Sequence, residues 1–252
     1  MEILKISTIT AVLQLSEDID LQKVYQCVPI TGYIPFIEFG QTNETKGFSK
    51  KQLKKRRKQK QKRIFYNQST IHVFHGGKLM NVKLFNNGKI QITGLKQENQ
   101  SDDLVNDLIG YFQDLDIMEE DTKIIDSKIV LINSDFDLGF QIERELLQRE
   151  IVDLGLYSTY EPCIYPGVNI KYYMNTNNTD GICCCDSMCT GKGRANGDGD
   201  CKKVTIAVFM SGKAIITGAQ NKDQIYTCYR FIKNMIEERK EFLELKENKL
   251  IL

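Results

Sequence analysis

The chain has 252 residues, enough to bury a substantial core as one domain or as two duplicated halves. Its net charge of +1 hides strong segregation, because ten of the 34 Lys and Arg residues lie between Lys50 and Arg63 and the remainder is acidic. No apolar run is long enough to span a bilayer and the N-terminus lacks the layout of a secretory signal, so a soluble, intracellular protein is expected.

In chain order, residues 3–13 predict an apolar, Thr-rich strand, and the capping acids of Ser16-Glu17-Asp18-Ile19-Asp20 predict a short helix to about Cys27. Residues 29–63, with Pro29, Pro35 and several glycines, predict an irregular insertion that ends in the basic run 50–63. Strands are expected at 69–75, 79–85 and 89–94, and an amphipathic helix from Ser101 to Leu115 through Leu104, Leu108, Ile109 and Phe112. The order then repeats. A strand at 129–137 precedes a helix from Gln141 to Asp153, a turn at Tyr165-Pro166-Gly167, strands at 168–174, 203–210 and 214–218, and a long helix from about Lys222. A Gly- and Cys-rich insertion occupies about 175–201. This order predicts an α+β fold in which residues 1–122 and 123–252 are two pseudo-repeats. Together they form one antiparallel sheet with helices on one side and the other side open.

The duplication is written most clearly in one ten-residue pattern. Phe85-Asn-Asn-Gly88-Lys89-Ile-Gln-Ile92-Thr93-Gly94 returns 124 residues later as Phe209-Met-Ser-Gly212-Lys213-Ala-Ile-Ile216-Thr217-Gly218, identical at six of ten positions. F-x-x-G-K-x-x-I-T-G reads as a β-hairpin whose three-residue loop ends in a glycine at positive φ. That loop length places Lys83, Phe85, Lys89, Gln91 and Thr93 on one face, and Ala207, Phe209, Lys213, Ile215 and Thr217 on the corresponding face of the second copy. The opposite faces are aliphatic and belong to the core. A lone Phe of this kind is compatible with ordinary cross-strand packing; its repetition beside a Lys and a Thr points to a binding face.

The remaining chemistry-bearing residues give weaker signals. Cys27, Cys163 and Cys228 read as buried or half-buried thiols. Cys183, Cys184, Cys185, Cys189 and Cys201 lie in a Gly/Asn/Asp-rich stretch without paired C-x-x-C spacing. They read as a reduced, disordered loop, with a metal or redox site as the alternative. His72 and His75 flank a turn, without a nucleophile motif, and read as solvated turn residues. No catalytic constellation emerges, so neither an enzyme nor a cofactor is expected.

The hairpins, together with Tyr160-Glu-Pro-Cys-Ile-Tyr-Pro-Gly167, Gly218-Ala219 and Gln224-Ile-Tyr226, resemble the TATA-box-binding protein family, whose fold is a duplicated saddle. The match is stronger in the second half; in the first it runs chiefly through Ile6-Ser-Thr8 and the first hairpin. The resemblance implies a sheet face that enters the DNA minor groove and apolar wedges that open base steps. Carried over by position, Phe85, Phe209 and Tyr165 match wedges, Thr93 and Thr217 match threonines at base edges, and Lys89 and Lys213 match lysines near phosphates. Ile6, Lys171 and Ile215 complete the implied DNA-facing set. Glu161 and Ile164 match part of the surface that docks the B-class general transcription factor.

Several positions depart from the family. Gln68 stands where the first half's second wedge belongs, with Phe65 or Tyr66 as substitutes if the register slips; Leu4 and Leu131 replace two central asparagines, and Gln91 and Asn133 replace valines. Leucine cannot donate to the A N3 or T O2 acceptors, so central readout should differ. The helix after the first hairpin carries Asp102, Asp103, Asp107 and Asp114, a solvated acidic face, whereas the 50–63 run is suited to phosphates or to localisation. The expectation is a divergent, non-enzymatic initiation factor that binds AT-rich double-stranded promoter DNA as a monomer and engages a B-class factor and polymerase machinery. It would act in a nucleus or a cytoplasmic viral factory, away from membranes. The alternative is a protein-interaction scaffold that keeps the fold without the DNA site.

Overall fold

Among the described residues there are eleven strands, most of them where apolar residues alternate, and glycine turns close both repeated hairpins. The computed structural model describes residues 4–48 and 65–245. The strands are β1 (Lys5–Leu15), β2 (Phe36–Phe39), β3 (Thr45–Gly47), β4 (Gln68–His75), β5 (Lys78–Phe85), β6 (Lys89–Leu95), β7 (Ile124–Asp137), β8 (Tyr157–Glu161), β9 (Tyr165–Met174), β10 (Lys202–Val208) and β11 (Lys213–Ala219). The helices among the described residues are α1 (Leu21–Cys27), α2 (Gln100–Gln113), α3 (Arg144–Asp153), α4 (Lys222–Glu238) and the short α5 (Lys240–Leu243). The strands make one antiparallel sheet in the order β3-β2-β4-β5-β6-β1-β7-β11-β10-β9-β8. Two compact units result: Thr8–Val130, and Leu131–Leu252 together with Met1–Ser7.

Within Thr8–Val130, alternation sends Ile9, Ala11 and Leu13 of β1, Val82 and Leu84 of β5 and Ile92 of β6 to one face, all without exposed surface. Leu104, Val105 and Phe112 of α2 are equally buried, at the spacing that gives this helix one apolar side. In the other unit, Ile132, Val168, Ile170, Val204, Ile206 and Ile216 come from the sheet. Leu147 and Ile151 of α3 and Ile225, Ile232 and Ile236 of α4 complete that core. Each fully buried aliphatic side chain contributes about 1.5–3 kcal/mol relative to exposure. Caps fix the helix starts: the Asp20 carboxylate accepts from the N–H groups of Gln22 and Lys23, and the Asn221 side chain accepts from that of Gln224.

The duplication extends to the backbone. Gly88 and Gly212 have φ of +74° and +83°, and each donates its N–H to the preceding Phe carbonyl, at 3.2 and 3.0 Å. Each tip is tied to the end of its repeat's first strand, through Leu15 N–H to the Gly88 carbonyl at 2.9 Å and Leu138 N–H to the Gly212 carbonyl at 3.0 Å. A second tie repeats too, from Ile19 N–H to Asn86 and from Ile142 N–H to Met210, both at 2.9 Å to the carbonyl oxygen. A Cβ on either glycine would lie 2.2 Å from the Glu17 carbonyl oxygen or 2.1 Å from that of Phe140. Only glycine permits that approach.

Several expectations are corrected. The segment 29–48 is not wholly irregular: Phe36, Ile37 and Phe39 are buried and pair β2 with His72, Ile71 and Ser69 of β4, which overrides the nearby prolines. Tyr157–Glu161 forms an additional strand, and Tyr165 opens β9 instead of forming a turn, because Glu161 pairs with Tyr165 across a bulge. The helix expected from Gln141 begins at Arg144, after Ile142 is drawn into a bridge with Glu244. The insertion 175–201 is ordered by backbone hydrogen bonds such as Tyr173 N–H to the Gly181 carbonyl and Lys203 N–H to that of Gly191, both 2.8 Å. Cys27 and Cys163 are exposed, at a helix end and in a turn, whereas Cys228 is buried. His72 is only 3% exposed and lies against Phe36, with ring centroids 4.8 Å apart, so β2 covers it. The basic run 50–63 lies outside the described residues.

Candidate nucleic-acid interface

Alternation that points the aliphatic residues at the helices turns a mixed set to the other face of each unit. In Thr8–Val130, the registers Gln68↔Phe85, Lys83↔Gln91, Val12↔Gln91, Thr10↔Thr93 and Gln14↔Lys89 put Phe85, Gln68, Lys89, Gln91 and Thr93 on one face. Phe85 is half-buried at the end of β5, and Lys89 is exposed just beyond the hairpin tip. Gln68 lies across from Phe85 and turns its amide nitrogen to the Thr70 hydroxyl at 3.2 Å. The Thr10 hydroxyl donates to that of Thr93 at 3.4 Å. Phe65 and Tyr66 are exposed just before β4 and take no part in the Gln68–Phe85 pairing.

The other unit builds a fuller set. Tyr165 and Phe209 pack together, with ring centroids 5.7 Å apart and planes at 57°. Gly167 lies beneath both rings: a Cβ there would come within 2.9 Å of Tyr165 and 3.0 Å of Phe209. Beside them the Arg144 guanidinium donates to the Pro166 carbonyl at 2.6 Å and lies 5.0 Å from the Tyr160 ring centroid. Along the same face, Ile215 is 36% exposed and pairs with Asp135 and Ala207, while Lys213 is exposed opposite Asp137. The Thr217 hydroxyl donates to Asn133 Oδ1 at 2.6 Å, and Lys171 Nζ donates to the Thr205 hydroxyl at 3.0 Å. Burial, and then the nearby Lys203 charge, lowers the Lys171 pKa.

Leu4, Ile6 and Leu131 are half-buried, Leu4 just before β1 and the others within β1 and β7. Glu161 ends β8 and Ile164 lies in the turn that follows it, closed by Ile164 N–H to the Glu161 carbonyl at 2.9 Å. Ile164 is 83% exposed there.

Three features escaped sequence reasoning. Arg144 and Gly167 support the aromatic pair, and Gly167 could have been found only through the proximity of two rings distant in sequence. The third is Asp135, whose carboxylate accepts from the Ser7 hydroxyl on the sheet face opposite Ile215. Its signal was legible, since Asp135 has the same parity as Asn133 along β7.

These geometries define an open antiparallel sheet with a duplicated hairpin, the fold of TATA-binding protein. TBP from Methanococcus jannaschii aligns with 94% of the chain and 99% of its own, at a TM-score of 0.53 and 17% identity. Residues 126–239 match the family model described as transcription factor TFIID, or TATA-binding protein. A TATA-box-binding protein-like protein of Acanthamoeba polyphaga mimivirus is 29% identical over 277 residues, covering 97% of this chain and 69% of that protein. The TATA-box-binding protein of Dictyostelium discoideum is 27% identical over 149 residues, with 59% of this chain and 57% of its own covered. That of Saccharomyces cerevisiae is 24% identical over 155 residues, with 62% of this chain and 51% of its own covered. The chain thus spans little more than half the length of these two cellular relatives. The chain is thus TBP-like in fold and, over residues 126–239, similar in sequence to the TATA-binding protein family.

Proposed function

We propose that this protein is a transcription-initiation factor that binds and bends AT-rich duplex DNA through the minor groove. The observation that carries the proposal is the Tyr165–Phe209 pair, held over Gly167 at the end of a sheet face that also presents Ile215, Thr217 and Lys213. Two aromatic side chains packed at a tilt at a sheet end are suited to open a base step, and the Tyr165 hydroxyl retains a polar handle at the groove edge. Phe85 is the wedge of the first repeat. Lys89 and Lys213 contact phosphates, whereas Thr93 and Thr217 lie at base edges. Leu4, Ile6, Leu131 and Gln91 make the central contacts by shape and deformability in place of hydrogen bonds. Lys171 flanks this set. Glu161 and Ile164 offer a separate surface to a B-class factor, through which polymerase machinery is recruited. The compartment is the site of transcription, a nucleus or a viral factory. Electrophoretic binding and fluorescence bending measurements on AT-rich and GC-rich duplexes test this reading. An AT-dependent bend that Phe209→Ala removes supports it; no preference for any duplex at moderate salt overturns it.

Asp135 favours a second reading. A carboxylate on the sheet face opposes a polyanion, and with Gln68 in a wedge position it suits a protein-docking face that has left DNA behind. A DNA complex with Phe85 and Phe209 inserted excludes that reading.

A further inference from the structure

The insertion between β9 and β10 brings four of its five cysteines to one point. The Sγ atoms of Cys183, Cys185, Cys189 and Cys201 all lie within 4.8 Å of one another, with Cys185 to Cys201 at 3.3 Å and Cys183 to Cys201 at 4.0 Å. A disulfide requires about 2.05 Å between sulfurs. Four sulfurs about 2.3 Å from one zinc ion stand about 3.8 Å apart along the edges of the tetrahedron. The observed separations bracket the second figure.

Three adjacent cysteines cannot all reach one ion. Cys183 and Cys185 join the cluster, while Cys184 between them is exposed and lies outside it. The spacing is therefore C-x-C-x3-C-x11-C, with the last ligand, Cys201, fully buried immediately before β10. Backbone amides address the sulfurs: Cys183 accepts from the N–H of Cys185, and Cys189 from those of Gly191 and Cys201. Such N–H···S bonds favour thiolates and orient metal ligands.

The surrounding loop is built to hold this arrangement. Gly193 N–H donates to the Cys201 carbonyl at 3.0 Å, and Lys192 and Lys202 form a bridge that continues the edge of β10. Gly191, at φ +70°, lies so close to the sheet that a Cβ would meet Lys203 at 2.5 Å and Tyr173 at 3.0 Å. Gly181 is similarly pressed on the Tyr172 ring, whose hydroxyl donates to the Thr179 carbonyl.

We propose that Cys183, Cys185, Cys189 and Cys201 bind one structural zinc ion that fastens residues 175–201 to the ends of β9 and β10. A closed set of four soft thiolates leaves no open position for substrate, so the ion has a structural role. The site does not depend on the DNA-binding reading.

The test uses the full chain, expressed with zinc and purified under reducing conditions without chelator. Metal analysis should find about one zinc per chain, and X-ray absorption about four sulfur neighbours at about 2.3 Å. Alkylation followed by peptide mapping should label Cys27, Cys163 and Cys184 at once. It should label the four ligands only after chelation, with Cys228 still protected by the fold. Cys189→Ser should lose the metal and Cys184→Ser should keep it. The buried Cys201→Ser variant is secondary, because it can fail to fold for other reasons. Zinc-free protein, stoichiometric iron in place of zinc, a Cys185–Cys201 disulfide, or equal zinc loss in Cys184→Ser and Cys189→Ser would each overturn the assignment.

Discussion

Gln68 lies directly across β4 and β5 from Phe85, whereas Phe209, one residue past the Val208↔Val168 pair, has Gly167 across from it and the Tyr165 ring beside it. One repeat therefore carries a supported aromatic pair and the other a single ring next to an amide. If both ends grip DNA, they grip unequally.

Phe209→Ala should weaken binding to AT-rich duplex more than Phe85→Ala, since it removes one ring and leaves Tyr165 unsupported. Loss of a stacking aromatic costs about 1–3 kcal/mol, so the expected loss for Phe209→Ala is roughly tenfold or more. Gln68→Phe should strengthen binding several-fold by adding a second ring directly across from Phe85. Titration by fluorescence anisotropy at fixed salt measures all three, and equal losses for the two alanine variants would contradict the asymmetry.

Charge on the sheet face can be read from salt dependence. Lys213→Ala should reduce the slope of log K against log salt by about 1, with little change in sequence preference. Asp135→Asn should raise affinity at low salt, because it removes a carboxylate facing the polyanion while keeping an acceptor for the Ser7 hydroxyl. An unchanged affinity in Asp135→Asn would place this residue away from DNA.

The hairpin glycines govern stability. In Gly88→Ala and Gly212→Ala, positive φ costs about 1–2 kcal/mol, and the new methyl meets a backbone carbonyl oxygen at 2.2 or 2.1 Å. Each should lower Tm by about 5 °C or more in calorimetry. Gly167→Ala, under two partly exposed rings, should leave Tm nearly unchanged while reducing DNA bending.

Alkaline pH should expose the buried phenols. Burial, then Asp107 and Tyr111, raises Tyr33 to about 12; burial, then Cys228 and Asp180, raises Tyr172 to about 12. Their folded pKa values exceed the unfolded value of about 10, so their contribution is complete below pH ~10 and is lost as pH rises towards ~12. Urea midpoints should fall across that window, and Tyr172→Phe should flatten the fall while costing about 1 kcal/mol at neutral pH through loss of the hydroxyl bond to Thr179.

Where period-two alternation coincided with glycine turns, the fold was legible from residues alone: both hairpins and their core faces follow from Phe85–Gly94 and Phe209–Gly218. β2 was hidden because its pairing partner, β4, lies beyond a long insertion, and prolines flank it. β8 was hidden because Tyr157–Glu161 has no fully buried face to mark it. The thiol cluster was the least legible, since its ligands span residues 183 to 201 and only the loop's hydrogen bonds bring Cys201 back to the others. Asp135 was visible in the alternation, but its importance depends on the face it shares with Ile215.

Strand β1 is shared between the two compact units: Thr8 onward packs with the first repeat, whereas Ser7 reaches Asp135 in the second. Synthesis therefore completes the surroundings of Leu4 to Ser7 late. Leu4 to Ser7 are made before residues 8–130, yet their partners arrive only after Leu131 has been made. Substitutions in Leu4 to Ser7 would thus burden the second repeat, the one that carries Tyr165 and Phe209, although most of β1 belongs to the first.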